Sequence, residues 1–369
     1  MIDTVVLTIA KSDCIEVKEK GIPVWNLYKN QSFFKKFVKN QTALQKKDEV
    51  YRPRINGIVR GKEKFIQIEF SIPKLILGNN LDEVREQDFE LVLDTLKDRL
   101  SDFGVIAQKS VLRKATVSVF HPSKNITLSD GYTASGVIKE LSKINLTQRM
   151  DLNKDSFRND GQSLQLYANS HSLVLYDKIQ DLRKPKGRAI DKDVVQNQLF
   201  LFEKIKGKLI NPEILRIEVR LSNKTKMKSV LKKAGFKENP NFEDIFKKQI
   251  CQELVKKYWD ELIINKNLFL FGMVSDSKQM LNMVIKENSK ITGRRLVYLI
   301  GLYQLCRDDG GIRNLRSILE KVIGRRSWYR IESDIKEINS YQNIDNCHSW
   351  VKQITEQINE FKSLRVINL

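Results

Sequence analysis

Apolar residues recur with a period of two through much of the first two-thirds of the chain and at helical spacing in the last third. Thr4–Ile9, rich in β-branched residues, predicts a strand. Asn56–Arg60 and Lys64–Ile72 flank Gly61-Lys62-Glu63 and predict a hairpin. In its second arm Ile66, Ile68, Phe70 and Ile72 alternate with Phe65, Gln67, Glu69 and Ser71. That alternation sets Gln67 and Glu69 on the face opposite the isoleucine row. Phe89, Val92, Leu93, Leu96 and Leu100 predict a helix over 86–103, ended by Gly104. Val111–Phe120 predicts a strand that Pro122 terminates, because proline has no N–H for a ladder. Thr133–Ile144 predicts a second helix. Ser163–Ala168 and Ser172–Tyr176 predict short strands joined by Asn169-Ser170-His171, and Leu182 to Asp193 reads as a basic loop. In the strand Leu215–Leu221, Leu215, Ile217, Val219 and Leu221 face one way and Arg216, Glu218 and Arg220 the other.

From Asn241 onward the spacing predicts only helices: Phe242–Leu262, Ser277–Lys286, Arg294–Arg307, Ile312–Ile323, Ser327–Ile338 and Ser349–Phe361, with Ser327 as an N-cap. Hairpins mixed with crossover helices predict an α+β fold over 1–238. Its sheet is expected to be largely antiparallel, with helices on one face and the other face open for binding. An all-helical domain is expected over 239–369.

Charge sharpens this picture. Of 369 residues, 65 are Lys or Arg and 45 are Asp or Glu, a formal net charge of +20. Hydrophobic residues make up 41%, which excludes wholesale disorder. The positive excess points to a polyanionic partner, nucleic acid ahead of anionic lipid. Residues 203–238 carry eleven Lys or Arg against four Glu, among them Lys224, Lys226 and Lys228. The four cysteines form no CxxC pair, so a zinc ribbon is not expected, and so sparse a set suits a reduced, cytoplasmic setting. The N-terminal run is too short and lacks the basic start of a signal peptide. No stretch approaches the roughly 20 apolar residues of a membrane span, Leu296–Leu305 being interrupted by Gly301 and Gln304.

Four features bear on chemistry. In Leu173-Val174-Leu175-Tyr176-Asp177-Lys178, an extended backbone puts Tyr176 and Lys178 on one face. A cation beside a phenol favours phenolate and binds a phosphate oxygen, as transesterification at a phosphodiester requires. The ordinary alternative is a half-buried strand tyrosine beside a solvated lysine. Glu218 between Arg216 and Arg220 is either an ion-pair ladder or a metal ligand bordered by phosphate-binding cations. Glu69 is a second acid on a sheet face, a ligand or a solvated side chain. His121, at the end of its strand, is a structural imidazole or a third ligand for a divalent ion. Strict alternation sets His121 with Ala115, Val117 and Val119, so aiming it at the two acids requires a bulge or twist. Farther on, Gly324-Arg325-Arg326-Ser327-Trp328-Tyr329-Arg330 is a short turn followed by a basic, aromatic helix. It is compatible with helix-turn-helix docking through Arg325, Arg326 and Arg330, or with aromatic residues that are simply core.

Several of these segments resemble the gene II/X replication initiators of filamentous phages and related plasmids. The similar blocks are Met1-Ile2-Asp3-Thr4-Val5-Val6-Leu7, Ile68-Glu69-Phe70-Ser71-Ile72-Pro73-Lys74, Leu77-Gly78-Asn79-Asn80, Leu173–Lys178 and Arg216-Ile217-Glu218-Val219-Arg220. The resemblance covers residues 1–235 in patches. It implies a rolling-circle initiator of the HUH-endonuclease type, with an RRM-like sheet, a divalent metal and a nicking tyrosine. Such enzymes cut one DNA strand, keep the 5′ phosphate on the tyrosine, leave a 3′-OH primer and later rejoin the ends. On this reading Tyr176 is the nucleophile and Lys178 orients the phosphate. Glu69, His121 and Glu218 hold Mg²⁺ or Mn²⁺, and Arg216 and Arg220 steady the DNA backbone. The chain departs from the pattern at Leu112-Arg113-Lys114-Ala115-Thr116-Val117, where relatives often carry an acid, and it has no His-x-His. The implied partners are a single-stranded or hairpin origin in a bacterial cytoplasm and a host helicase, since no GxxxxGK[ST] motif is present. The alternatives are a mobilisation relaxase or single-strand transposase, a non-catalytic DNA-binding regulator, and an RNA-binding protein.

Overall fold

The computed structural model describes residues 1–16, 37–39, 50–145, 155–158, 162–167, 170–183, 212–273, 276–308 and 310–365. The first strands are Ile2–Ala10 (β1), Cys14–Glu16 (β2), Phe37–Lys39 (β3), Arg54–Arg60 (β4) and Glu63–Ser71 (β5). Val105–Ala107 (β6), Thr116–Leu128 (β7), Asp155–Arg158 (β8), Ser163–Tyr167 (β9), Ser172–Asp177 (β10) and Glu213–Arg220 (β11) follow. Nine of them form one sheet in the order β3-β4-β5-β1-β7-β11-β10-β9-β8, while β2 pairs with β6. All these pairings are antiparallel. The fold is therefore α+β with an antiparallel sheet, as the patterning predicts. The expected hairpin is β4–β5, and Gly61 turns it with φ +61°, a conformation that a β-carbon strains.

The long central strand β7 joins two half-sheets. Its first half pairs with β1 and its second with β11. Pro122 does not end it. Glu218 opposite Ser123 and the bridge between Phe120 and Leu221 share one register. Pro122 thus interrupts the hydrogen bonding locally, and the strand runs straight through with His121 opposite Arg220. Where β1 has ended, side chains satisfy the free edge of β7. Glu83 accepts from Asn125 N, Gln357 from Thr127 N and Gln353 from Ser129 N. Residues 111–113, expected within the strand, belong instead to the short helix Lys109–Arg113.

One sheet face carries Val5, Leu7, Val117, Phe120, Leu215, Ile217 and Val219, all fully buried. Helices Phe89–Ser101, Lys248–Trp259 and Ser349–Glu360 contribute to the same apolar cluster. The expected boundary near residue 238 falls in the turn after helix Lys224–Lys233. Buried residues of the helices beyond it belong to the same apolar cluster as those of the sheet. Phe242–Leu262 is divided into Phe242–Ile245, Lys248–Trp259 and a wider turn at Asp260–Ile264. Ile312–Ile323 and Ser327–Ile338 lie within one helical stretch, Gly311–Ser340, broken only at Gly324 with φ 76° and ψ 158°. This single-residue joint replaces the expected turn, and Ser327 lies inside the helix rather than at its cap. Trp328 is core, with the Arg316 guanidinium 5.6 Å from its ring centroid. No described helix is long and apolar enough to cross a membrane.

Candidate functional site

The opposite sheet face gathers most of the residues singled out above. On β11, Arg216, Glu218 and Arg220 alternate with the buried Leu215, Ile217 and Val219, as period two requires. The register of β10 against β11 sets Tyr176 directly opposite Arg216 and Val174 opposite Glu218. On β7 a bulge intervenes. Leu7 pairs with Val117 and Val6 with Val119, so Ser118 is the extra residue. The bulge leaves Val117 in the core and turns Val119 and His121 to the opposite face. This corrects the face given by strict alternation and delivers the aim that the site needs.

A polar cluster results. The Tyr176 hydroxyl donates to Glu218 Oε2 at 3.2 Å and accepts from Arg216 Nη1 at 3.5 Å. Arg220 Nε donates to Glu218 Oε1 at 2.7 Å. His121 Nδ1 lies 3.4 Å from the same Oε1, and its Nε2 lies 3.4 Å from Ser222 Oγ. Arg216 Nη1 is also 3.1 Å from Asp3 Oδ1, and Thr4 Oγ1 donates to Asp3 Oδ2. Val174, Arg216 and Glu218 are buried on this face, so it is not open there as expected, whereas Tyr176 and His121 are partly exposed. Arg216 thus lies buried within the cluster, between Tyr176 and Asp3.

Lys178 is not part of the strand. β10 ends at Asp177, whose carboxylate accepts from Gln180 N, and Lys178 opens the helix Lys178–Arg183. The turn nevertheless brings Lys178 Nζ to 5.4 Å from the Tyr176 ring centroid. Among the described residues the buried ammonium makes no hydrogen bond, and the Asp181 carboxylate lies 3.9 Å away.

Burial dominates the proton affinities. It pushes Lys178 down to about 7, assisted by the Arg216 charge. It pushes the Tyr176 phenol well above its ordinary value, against the pull of Arg216. Burial also works to raise Glu218, but Arg220 and His121 overcome it and hold this carboxyl well below the usual range. Asp3 is kept ionised by Arg216 despite its own burial. At neutral pH the cluster holds two carboxylates, two guanidinium ions, a neutral phenol and an amine poised between its two states.

Glu69 is not brought into this cluster. It lies on the same face but on β5, opposite Val6, two strands away from β7. It is partly exposed, with Arg54 at 4.0 Å. Of the three expected ligands only His121 and Glu218 are adjacent. Both Glu218 oxygens are engaged by Arg220 and Tyr176. Among the described residues no group of three His, Cys, Asp or Glu is spaced to hold an ion. The described side chains as arranged do not fit the expected Mg²⁺ or Mn²⁺ site.

Asp3 was not singled out in the sequence. Its signal is faint: an acid at the start of a strand whose partners are set only by long-range pairing. Of the basic residues, Lys224, Lys226 and Lys228 lie half-buried on the helix that follows β11. Arg325, Arg326 and Arg330 are exposed on the stretch after Gly324, away from the sheet cluster in sequence and element. The basic loop starting at Leu182 lies largely outside the described residues. Comparison with models of known families, with curated proteins and with solved structures finds no match for this chain.

Proposed function

We propose that the chain nicks and rejoins single-stranded DNA through a 5′-phosphotyrosine at Tyr176, and so initiates rolling-circle replication. The observation that carries this reading is the partly exposed Tyr176, its hydroxyl held between Glu218 and Arg216, with the buried Lys178 amine against its ring. A hydroxyl among cations, hydrogen-bonded to a carboxylate that can take up its proton as the bond to phosphorus forms, is suited to attack an anionic phosphorus centre.

In the forward step Tyr176 Oη bonds to the scissile phosphorus and the bond from phosphorus to the 3′ oxygen breaks. The phenol proton passes to Glu218 Oε2. It stays there until the reverse step, when the leaving phenolate takes it back and the attacking 3′-OH gives its own proton to water. The departing 3′ oxygen takes a proton from water. The 5′ phosphate remains as a diester on Tyr176, and its bond energy is retained for rejoining without ATP. In the reverse step a 3′-OH attacks the same phosphorus and the phenol leaves. Arg216 stabilises the phenolate that forms and departs, and the buried Lys178 ammonium beneath the ring adds a positive charge that helps to neutralise the phosphate.

The test is incubation with a randomised single-stranded DNA library, with Mn²⁺, with Mg²⁺ and with chelator, followed by denaturing electrophoresis. The wild-type chain is expected to form a covalent protein–DNA adduct and to release a 3′ end that a polymerase extends. Tyr176→Phe is expected to bind DNA and form no adduct. Equal adduct yield from Tyr176→Phe, or no adduct under any of the three conditions, overturns the proposal.

A further inference from the structure

The apolar run Leu296–Leu305 forms most of the helix Gly293–Arg307. Its inner face, Leu299, Leu302, Tyr303 and Cys306, is buried in the core. Its outer face is apolar as well. Val297 is 69% exposed, Leu305 is 53% exposed, and Gly301 lies exposed between them. A helix on a protein surface normally turns a polar face outward, and one that is apolar all round is normally covered on every side. Ten residues of helix rise only about 15 Å, roughly half the hydrocarbon thickness of a bilayer, so the cover is not a membrane that the helix spans.

The charges that flank this face stand in an unfavourable order for an isolated helix. Arg294 and Asp308 continue the same stripe, three residues before Val297 and three after Leu305. Both are exposed, and neither has an ion-pair partner among the described residues. Arg294 lies in the first turn, where the helix dipole gathers positive charge, and Asp308 caps the last turn, where it gathers negative charge. A second helix running antiparallel across the face would set both charges beside the end that attracts them. The face is also self-complementary about Gly301. Val297 and Leu305 lie four residues on either side of it, and Arg294 and Asp308 seven. A two-fold axis at Gly301 therefore brings Val297 against the partner's Leu305 and Arg294 against the partner's Asp308, each contact occurring twice. A glycine at the crossing lets the two backbones approach closely.

We propose that the chain forms a two-fold dimer through this helix, packed antiparallel against the same helix of a second copy and centred on Gly301. The repeat of bulk and the inversion of charge about one residue are what a second copy uses, and an unrelated partner requires neither. The interface is one helix from each copy, so association is weak, with a dissociation constant in the micromolar range. The dimer does not depend on the chemistry proposed for Tyr176.

The test combines sedimentation velocity over a concentration series with oxidative crosslinking of introduced cysteines. The wild-type chain, whose own cysteines are buried or half-buried, supplies the crosslinking background. Gly301→Cys meets no atom within 4 Å and is expected to give a disulfide-linked dimer, because the two sulfurs meet at the axis. Val297→Cys alone and Leu305→Cys alone are expected to give little, since each lies about 12 Å of helix from its own counterpart. The two changes in one chain are expected to crosslink well. Arg294→Asp is expected to weaken the dimer about tenfold, and adding Asp308→Arg to restore it, because the exchanged charges face each other again. Gly301→Leu improves helix propensity and so spares the fold, and it is expected to leave the chain monomeric. A wild-type chain that stays monomeric at every concentration would overturn the assignment. So would dimers that Gly301→Leu leaves intact, single Val297→Cys or Leu305→Cys variants that crosslink as readily as Gly301→Cys, or no recovery on exchanging the charges.

Discussion

Replacing Lys178 by Met is expected to stabilise the fold while disabling the site. The stem of Lys178 fills space between β10 and its following helix, and Met fills nearly the same volume without the charge. On folding the amine drops from an ordinary 10.5 to about 7. Each tenfold loss of proton affinity is about 1.4 kcal/mol, so the buried amine costs the fold about 4 kcal/mol at pH 7. The attraction of Nζ to the Tyr176 ring offsets about 1 kcal/mol of this in the variant comparison. A net gain of about 3 kcal/mol is therefore expected for Lys178→Met at pH 7. The sign with pH follows from proton counting. Between pH 7 and 10.5 the unfolded chain binds a proton that the folded chain does not, so wild-type stability rises with pH across that window. The advantage of the variant should shrink to under about 1 kcal/mol near pH 10. Urea unfolding of both proteins at pH 7 and pH 10 measures this directly. A variant less stable than wild type at pH 7, or an advantage that does not change with pH, would refute the reasoning.

On the proposed mechanism the ammonium of Lys178 attracts the phosphate and the free amine does not. Oligonucleotide affinity should therefore fall as pH rises through 7 in the wild type and stay flat across that range in Lys178→Met, as fluorescence anisotropy would report. Arg216→Met strands the Asp3 carboxylate in a buried position, an expected loss of about 3–5 kcal/mol, and Asp3→Asn in the same chain should recover part of it in chemical denaturation. Glu83, tied to Lys124 at 2.9 Å and to two backbone N–H groups, is held down to about 2. Its contribution of about 3 kcal/mol is present above pH 4.5 and lost as pH falls toward 2, so Glu83→Gln should flatten the acid side of the stability profile. Gly324→Ala meets no neighbouring atom but places a β-carbon at φ 76°, ψ 158°. A loss of about 1–3 kcal/mol in thermal unfolding is expected, and an unchanged midpoint would show that the joint straightens freely.

Local periodicity was enough to read β11, the β4–β5 hairpin and most helices, because period two and period 3.6 are properties of neighbouring residues. It also set Arg216, Glu218 and Arg220 on one face. The juxtaposition of Tyr176 with Arg216 depends on strand register, and the contact of Arg216 with Asp3 depends on the order of β1, β7 and β11. Neither is written in any short window. His121 shows the limit most clearly. Alternation points it into the core, and one extra residue at Ser118 reverses that. Pro122 misleads for a related reason: a missing N–H interrupts one ladder position without ending a strand paired on both sides. Lys178 reaches Tyr176 from a helix, not from the strand, because Asp177 caps a turn that the apolar pattern does not announce. Glu69 shares the predicted face yet stands two strands away from His121, since sharing a face says nothing about lateral distance.

The claim on which the account rests is that the phenol oxygen of Tyr176 becomes covalently joined to DNA. Protease digestion of the protein–DNA adduct, nuclease trimming and tandem mass spectrometry of the remaining peptide would locate that bond. The account predicts a nucleotide attached to Tyr176 within the peptide that contains Leu173–Asp177. A modification on Tyr167, on any other residue, or on none would contradict it.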